Sequence, residues 1–520
     1  MLDDLLGNTP HAYVAVSPLA EGADRLVAKE IMDWPGSGAP GEPSLEVVLP
    51  LPESDYLEDF ATEESREDFK RLLGMAASRL VLPDAMPRSS AYEQVGRYVV
   101  DNCDVLIAIW NGNASEGPGG TAEIVRYACN VGRSMFWIDS ETGAISDTVK
   151  TRKRIRKLEK SEKRQKTKES EVGDHALDSL RNLDAYNGEP TLHPKAAPGV
   201  EAEFGVRGPT GEGFDLAPDI LQPLRDNLLS QYARADSLAA RYQSRHVSAG
   251  VTMYALAAGA VATVTAHVLF LPLHTWLLWL EVLEMGAILA VLALSWHGEW
   301  HRKWIDYRFL AERLRAAVFL WVAGIECEPP KPAPHLSLSH RPDDWMVRAF
   351  AWIWSTRPAM ASCPRLMFDN LKAYVNTAWI GDQISFYRRK SRRQRARHSR
   401  LALAGAVMFG LTLVVAIVHA ARLEARWRPE PAGVTQVLAF LAIVLPATGA
   451  AIASVRVHRE YLRNSERYRQ MADHLTRSMG EIGQANGREA LTRCLQEAND
   501  LMLLENQDWR VIFRFQQFGP

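Results

Sequence analysis

A glycine run beside an acid offers the first sign of chemistry. In "GPGGTAEIVRYA" (Gly117–Ala128), Gly117, Gly119 and Gly120 stand before Thr121 and Glu123. Glycine lets a backbone approach a ligand closely and adopt φ values closed to other residues. Free N–H groups at the start of a helix then attract an anion. Thr121 is suited to cap that helix or to bond a phosphate oxygen. Glu123 falls in the first turn, where the helix dipole favours an acid whether or not a ligand is present. Taken alone, the same spacing suits an ordinary strand-to-helix turn.

Two further loops extend the pattern. "SPLAEGADR" begins at Ser17 and places Gly22 between Glu21 and Asp24, with Arg25 at its end. The acids do not suit a bare phosphate but can accept hydrogen bonds from ribose hydroxyls. "PLPESDYLEDF" brings Pro52 after the apolar run at Val47–Leu49, and the glycine run itself follows "DVLIAIWNG", which ends at Gly112. All three loops follow expected strand C-termini, where parallel sheets bind ligands. Cleavage of an N-glycosidic bond needs a carboxylate to stabilise an oxocarbenium-like sugar and an activated water. Glu123 with Glu21 or Asp24 supplies such a pair. Spacing fixes no base or proton donor, so a pocket that binds without reacting stands beside the hydrolytic reading.

These loops need an α/β frame. From Ala12 to Ile138, apolar runs alternate with amphipathic stretches. "AYVAV", "LEVVLPLP", "DVLIAIWNG" and "SMFWID" read as strands. "LAEGADRLVAKEIM" reads as a turn and helix, and "SREDFKRLLGMAASRLV", "SAYEQVGRYVVDNC" and "TAEIVRYACNVG" as helices. Unbroken apolar runs between helices predict parallel strands covered on both faces. The run Lys150–Lys168 is then strongly basic, a solvated linker or a surface for anionic lipid. A Gly/Pro-rich stretch follows it.

Four apolar segments come next: Val251–Leu271, Trp276–Trp296, Leu401–Ala421 and Val434–Val455. Each matches the ~20 residues that cross a bilayer as a helix. Arg241, Arg245 and His246 precede the first, and His301, Arg302 and Lys303 follow the second. "YRRKSRRQRARHSR" precedes the third, and Arg456, His458 and Arg459 follow the fourth. Lys and Arg gather on the cytoplasmic side of short connections, so both pairs are expected to open toward the cytoplasm with both termini. Three arginines in the second turn, "RLEARWRPEPAG", blur the rule without reversing it. Glu281 and Glu284 lie in the second segment, three residues apart and on one helix face. They are expected either to line a pore or to sit at the interface of a span that starts later.

The segments that follow the second and fourth spans align without gaps. "HGEWHRKWIDYRFLAERLR" and "HREYLRNSERYRQMADHLT" match at His297/His458, Glu299/Glu460, Arg302/Arg463, Tyr307/Tyr468, Arg308/Arg469, Ala311/Ala472 and Leu314/Leu475. A repeated unit of two spans with flanking helices is expected. Composition agrees with a multi-unit chain: 520 residues, a net charge of −2 and five scattered cysteines with no CxxC. The charge argues against a nucleic-acid partner, and the cysteines suit isolated reduced thiols. The acidic start "MLDDLLGNTPHAYVAV" lacks the pattern of a secretory signal, so the N-terminal region is expected in the cytoplasm.

"VSPLAEGADRLVA", "VVLPLP…DYLEDF", "AYEQVGRYVVDNCDVLIAIWNG" and "GPGGTAEIVRYA" resemble the SLOG domains. Those are Rossmann-like modules related to the lonely-guy cytokinin-activating hydrolases and the SMF/DprA proteins. "GGTAE" is similar to a shortened form of the hydrolases' Gly-Gly-x-Gly-Thr-x-x-Glu loop, with Glu123 nearest the catalytic glutamate. "ADSLAARYQSRH", "DYRFLAERLRAAVFLWVAG", "WIGDQISFYRRKSRRQRARH" and "YRQMADHL" resemble the two-span SLATT effector domains. The resemblance implies a sensor of a nucleotide-derived signal that acts on the membrane in bacterial conflict systems.

The expected architecture is an α/β Rossmann-like parallel-sheet domain plus an all-α membrane region with four transmembrane helices in two repeated hairpins. Its boundaries are 1–145 for the nucleotide-binding domain, 146–222 for a linker and 223–328 for the first two-span unit. A connector spans 329–365, the second two-span unit 366–497 and a tail 498–520. The expected ligand is ADP-ribose-like or a nucleoside phosphate, with no metal. The expected setting is a homo-oligomer in the inner, cytoplasmic membrane.

Overall fold

The computed structural model describes residues 2–34, 41–83, 87–113, 120–147, 151, 175–190, 197–206, 214, 216–326, 344–358, 366–421 and 433–514. Contacts divide the chain into two compact units, Met1–Pro190 with Arg341–Ala349, and Thr191–His340 with Phe350–Pro520.

The first unit is α/β. Strands β1 (Val14–Ser17), β2 (Ser44–Leu49) and β3 (Ser78–Val81) form a parallel sheet in that order, pairing Val14 with Ser44 and Glu46 with Ser78. Strands β4 (Val105–Trp110) and β5 (Ser134–Asp139) pair in parallel, and β6 (Ile145–Asp147) joins β5 antiparallel. Two strands depart from the pattern expected of the sequence. "SRLV", read as the end of a helix, leaves it after Gly74 and pairs with β2. The Ala77 N–H donates to the Leu45 carbonyl at 2.8 Å, so sheet hydrogen bonding overrides the helical period. The expected all-parallel set also gains an antiparallel edge strand.

Helices α1 (Ala23–Met32), α2 (Glu63–Gly74), α3 (Arg88–Asn102) and α4 (Thr121–Val131) cover the strands. The start of α2 is capped by Thr62, whose hydroxyl accepts from the Ser65 N–H at 3.1 Å. Helix α4 ends at Gly132, whose φ of 76° favours glycine there. Leu45, Val47 and Leu49 of β2 pack with Phe69, Leu72 and Leu73 of α2. Ala122, Val125 and Ala128 of α4 pack against Leu106, Ala108 and Met135. Trp137 donates its indole N–H to the Trp110 carbonyl at 2.7 Å, which ties β5 to β4 beyond their ladder.

The second unit is helical. The π-helical turn Arg225–Leu229 leads into α5 (Ser230–Phe270), followed by α6 (Trp276–His297) and α7 (Trp300–Ala323). A second π-helical stretch, Val375–Gly381, leads into α8 (Asp382–Ala420), followed by α9 (Val434–His458) and α10 (Tyr461–Gln484). The junctions α6–α7 and α9–α10 turn at Glu299 and Glu460, with φ of 49° and 44°. Left-handed backbone is uncommon away from glycine. At each junction an arginine three residues on, Arg302 or Arg463, pairs with that glutamate.

Four helical segments, Pro218–Phe270, Trp276–Ala323, Phe368–Ala420 and Val434–Gln484, are long and apolar enough to cross a membrane. Their most apolar windows are 11%, 6%, 0% and 6% buried within the protein. So much uncovered apolar surface needs a non-aqueous surrounding, which marks this as a membrane region.

The basic run Lys150–Lys168 lies outside the described residues except for Thr151. Helices His175–Asn187 and Ala197–Glu203 occupy part of the expected linker, Trp345–Ser355 part of the connector, and Arg488–Arg514 most of the tail.

Candidate functional site

Strands β1 and β4 each stand at one end of their sheet. Between them lies a cavity of about 350 Å³. Its walls are mostly apolar residues of β1 and β4, with Ala23, Val27 and Ala28 of α1 and Val95, Gly96 and Val99 of α3. Ser17, Glu21, Asp24, Tyr56, Tyr92 and Thr121 add the polar lining, and no Lys, Arg or His lines it among the described residues.

Local backbone explains how the acids arrive there. After β1 the chain turns through Leu19 at φ 56° and Gly22 at φ 90°, reversing direction into α1 within a few residues. The left-handed Leu19 is held by its neighbours. Its N–H donates to the Ser17 hydroxyl at 3.1 Å, and its carbonyl accepts from Arg25 Nε at 2.9 Å. Asp24 then falls in the first turn of α1 at the cavity wall. Burial raises its carboxyl to about 6, opposed by a hydrogen bond from the Ala20 backbone and by the Arg25 charge. Glu21 accepts a hydrogen bond from the Ser65 hydroxyl. An acid of this kind in a cleft can accept from a hydroxyl or amine, or hold a proton near neutral pH.

Burial also pushes the Cys103 thiol up to about 11. A thiol so hard to ionise is a wall and not a nucleophile. Tyr56 and Tyr92 carry raised hydroxyls through burial, and Tyr92 donates to Asp59.

Of the sequence-derived candidates, the fold brings Ser17, Glu21, Asp24 and Thr121 to one cavity. Arg25 is placed elsewhere: it is 5% exposed, stacks 4.4 Å from the Phe60 ring and donates to Ser65 at 2.8 Å. It braces the loop. Gly22 supplies the turn, and Pro52 precedes the short helix Glu53–Tyr56 without lining the cavity. Gly112 bends the chain after β4 at φ 78°. Gly120, not Thr121, occupies the cap position of α4, because Thr121 is already its first helical residue. Glu123 sits in that first turn, outside the cavity lining. Gly117 and Gly119 lie outside the described residues. Sequence reasoning missed Tyr56, Tyr92 and the β4 backbone. Only the apolar run of β4 signalled a wall there.

In the second unit, α6 is already helical at Trp276, which places Glu284 about 12 Å along it. Glu284 turns toward α5, where Thr263 Oγ1 donates to its Oε1 at 3.3 Å and Gly259 leaves room for it. Glu281 lies one turn earlier on the same helix.

Comparison with known proteins gives no match: no family model, no curated protein and no solved structure aligns with the chain.

Proposed function

We propose that this chain is a ligand-sensing membrane effector. Its α/β unit binds a nucleotide-derived molecule, and its helical unit responds by changing membrane integrity or ion flux. The observation that carries the reading is the β1–β4 cavity, whose polar groups include a desolvated carboxyl, in a chain that also holds four membrane-length helices.

Placed edge to edge, the strand orders of the two sheets give 3-2-1-4-5-6. That matches the Rossmann order except that β6 runs antiparallel. Such sheets take nucleotides in the crevice outside the C-terminal ends of strands 1 and 4, the end of β1 being Ser17. The absence of a basic side chain among the lining residues favours the nucleoside portion there, with Asp24 and Glu21 accepting from ribose hydroxyls. A phosphate group would meet the N-terminus of α4 at Gly120 and Thr121. Binding is favoured over N-glycosidic hydrolysis because Glu123 stands outside the lining. This reading is in keeping with the SLOG resemblance.

The helical unit is proposed to hold two copies of one two-span element, as the SLATT resemblance implies. Both copies run π-helical turn, long helix, apolar helix, left-handed glutamate and a final helix of 24 residues. Both open toward the cytoplasm of the inner membrane, in a homo-oligomer that serves a conflict response.

Thermal unfolding of the full chain in detergent, scanned across nucleoside monophosphates, NAD and ADP-ribose, tests the reading. At least one of these is expected to raise the Tm saturably without release of free base. Asp24→Ala should remove the effect, and Glu123→Gln should keep it. Base release abolished by Glu123→Gln, or no stabilising nucleotide at all, overturns it.

A further inference from the structure

The helical unit holds a second cavity, of about 300 Å³, built from segments far apart in sequence. His246 comes from α5, His301 from α7, Lys390 and Arg397 from α8, and His458 and Arg459 from the end of α9. No Asp or Glu lines it among the described residues. The imidazoles of His246 and His301 lie 4.6 Å apart, with His458 at 6.2 Å from His246. His246 and His301 are buried, at 4% and 8% exposure.

Of the cations, Lys390 and Arg459 are half-buried and Arg397 is exposed, and cations gathered round one space repel one another. A fold keeps such an arrangement where something else supplies the negative charge. One of these groups has a spare donor. The Arg459 Nε–H donor has no hydrogen-bond partner. Guanidinium and ammonium donors lining one space suit the several oxygens of a phosphate group. The site's level fits as well: its residues flank one end of each of the four apolar stretches, and Trp304 and Tyr468 line its wall. Aromatic residues of that kind favour the membrane–water interface.

We propose that this cavity binds a phosphate-type anion, and that the anion clamps the α5–α7 and α8–α10 halves of the helical unit together. The phosphate belongs either to a lipid headgroup or to a soluble polyphosphate. In both cases the bound charge offsets the repulsion between Arg397, Arg459 and Lys390 and so stabilises the joined state.

The test uses the full chain in neutral detergent and reads the Tm against inorganic pyrophosphate and against cardiolipin. Sodium chloride at matched ionic strength and phosphatidylcholine serve as controls. A saturable rise of several degrees with either anion, exceeding both controls, is expected. A rise with cardiolipin alone assigns the site to a headgroup, with pyrophosphate alone to a soluble phosphate, and with both to the phosphate group itself. Arg397→Gln with Arg459→Gln should abolish the shift and raise the Tm of the anion-free protein. The milder Lys390→Gln, which leaves the arginines in place, should weaken binding about tenfold. Equal shifts with sodium chloride, an undiminished shift in the double variant, or a lower anion-free Tm in that variant would each overturn the proposal.

Discussion

The two cavities of this chain are opposites. The one between β1 and β4 has apolar strand walls, two acids and no basic side chain among the described residues. The one at the ends of the membrane helices has six basic side chains and no acid among the described residues. Each excludes what the other is built to take. An acidic, mostly apolar crevice suits a ligand that donates hydrogen bonds, such as a nucleoside, whereas a basic one suits an anion. On the proposed reading, a chain with both would respond to a soluble molecule and to phosphate at the membrane through separate chemistry.

The largest effect is expected from occupying the acidic cavity. Ala23→Trp puts an indole where the proposed ligand sits and should weaken nucleotide binding at least about 100-fold, or roughly 2.7 kcal/mol. Isothermal titration of the full chain checks this, and unchanged affinity would place the ligand elsewhere.

An effect of at most similar size concerns the charge of that cavity. The Asp24 carboxyl is raised in the fold from 3.8 to about 6. The folded state therefore holds the proton more tightly than the unfolded chain. Stability from this group is full below pH 4 and falls as pH rises through 6. Asp24→Asn should accordingly stabilise the protein at pH 8 by at most about 3 kcal/mol, with the gain vanishing at pH 4. A gain independent of pH would mean that Asp24 is not desolvated. The basic cavity should answer oppositely to neutralisation by ligand, gaining stability from added phosphate where the acidic one gains none.

The smallest effect tests an acid held apart from both cavities. Thr263→Val removes the hydroxyl that bonds Glu284. Side-chain hydrogen bonds between membrane helices average about 0.6 kcal/mol, so unfolding should shift by about that much. A loss several times larger would show that Glu284 depends on Thr263 for its burial.

Much of this was legible in sequence where local pattern dominates. The apolar runs gave the membrane-length helices, and α6 and α9 begin at Trp276 and Val434 as read from composition. Ser17, Glu21 and Asp24 were marked by their place after a strand, and Thr121 by its glycines. The fold brings these together across about a hundred residues of chain. The rest depends on tertiary contacts that no local window contains. The segment "SRLV" follows a helical period yet becomes β3 because β2 offers it hydrogen bonds. Arg25 reads as a ligand contact but spends its guanidinium on Leu19, Ser65 and Phe60. The basic cavity draws on His246, His301, Arg397 and His458, which look like ordinary flanking charges until four helix ends meet. Even Glu299 and Glu460, matched in sequence, gave no hint of their left-handed backbone.

Ligand-dependent flux tests the central claim most directly. The full chain is reconstituted into anionic vesicles, and ion release is followed while the stabilising nucleotide is added. Release should rise saturably with that nucleotide, and Asp24→Ala should remove the rise without reducing insertion. Release that is the same with and without nucleotide, in protein shown to bind it, would contradict the account.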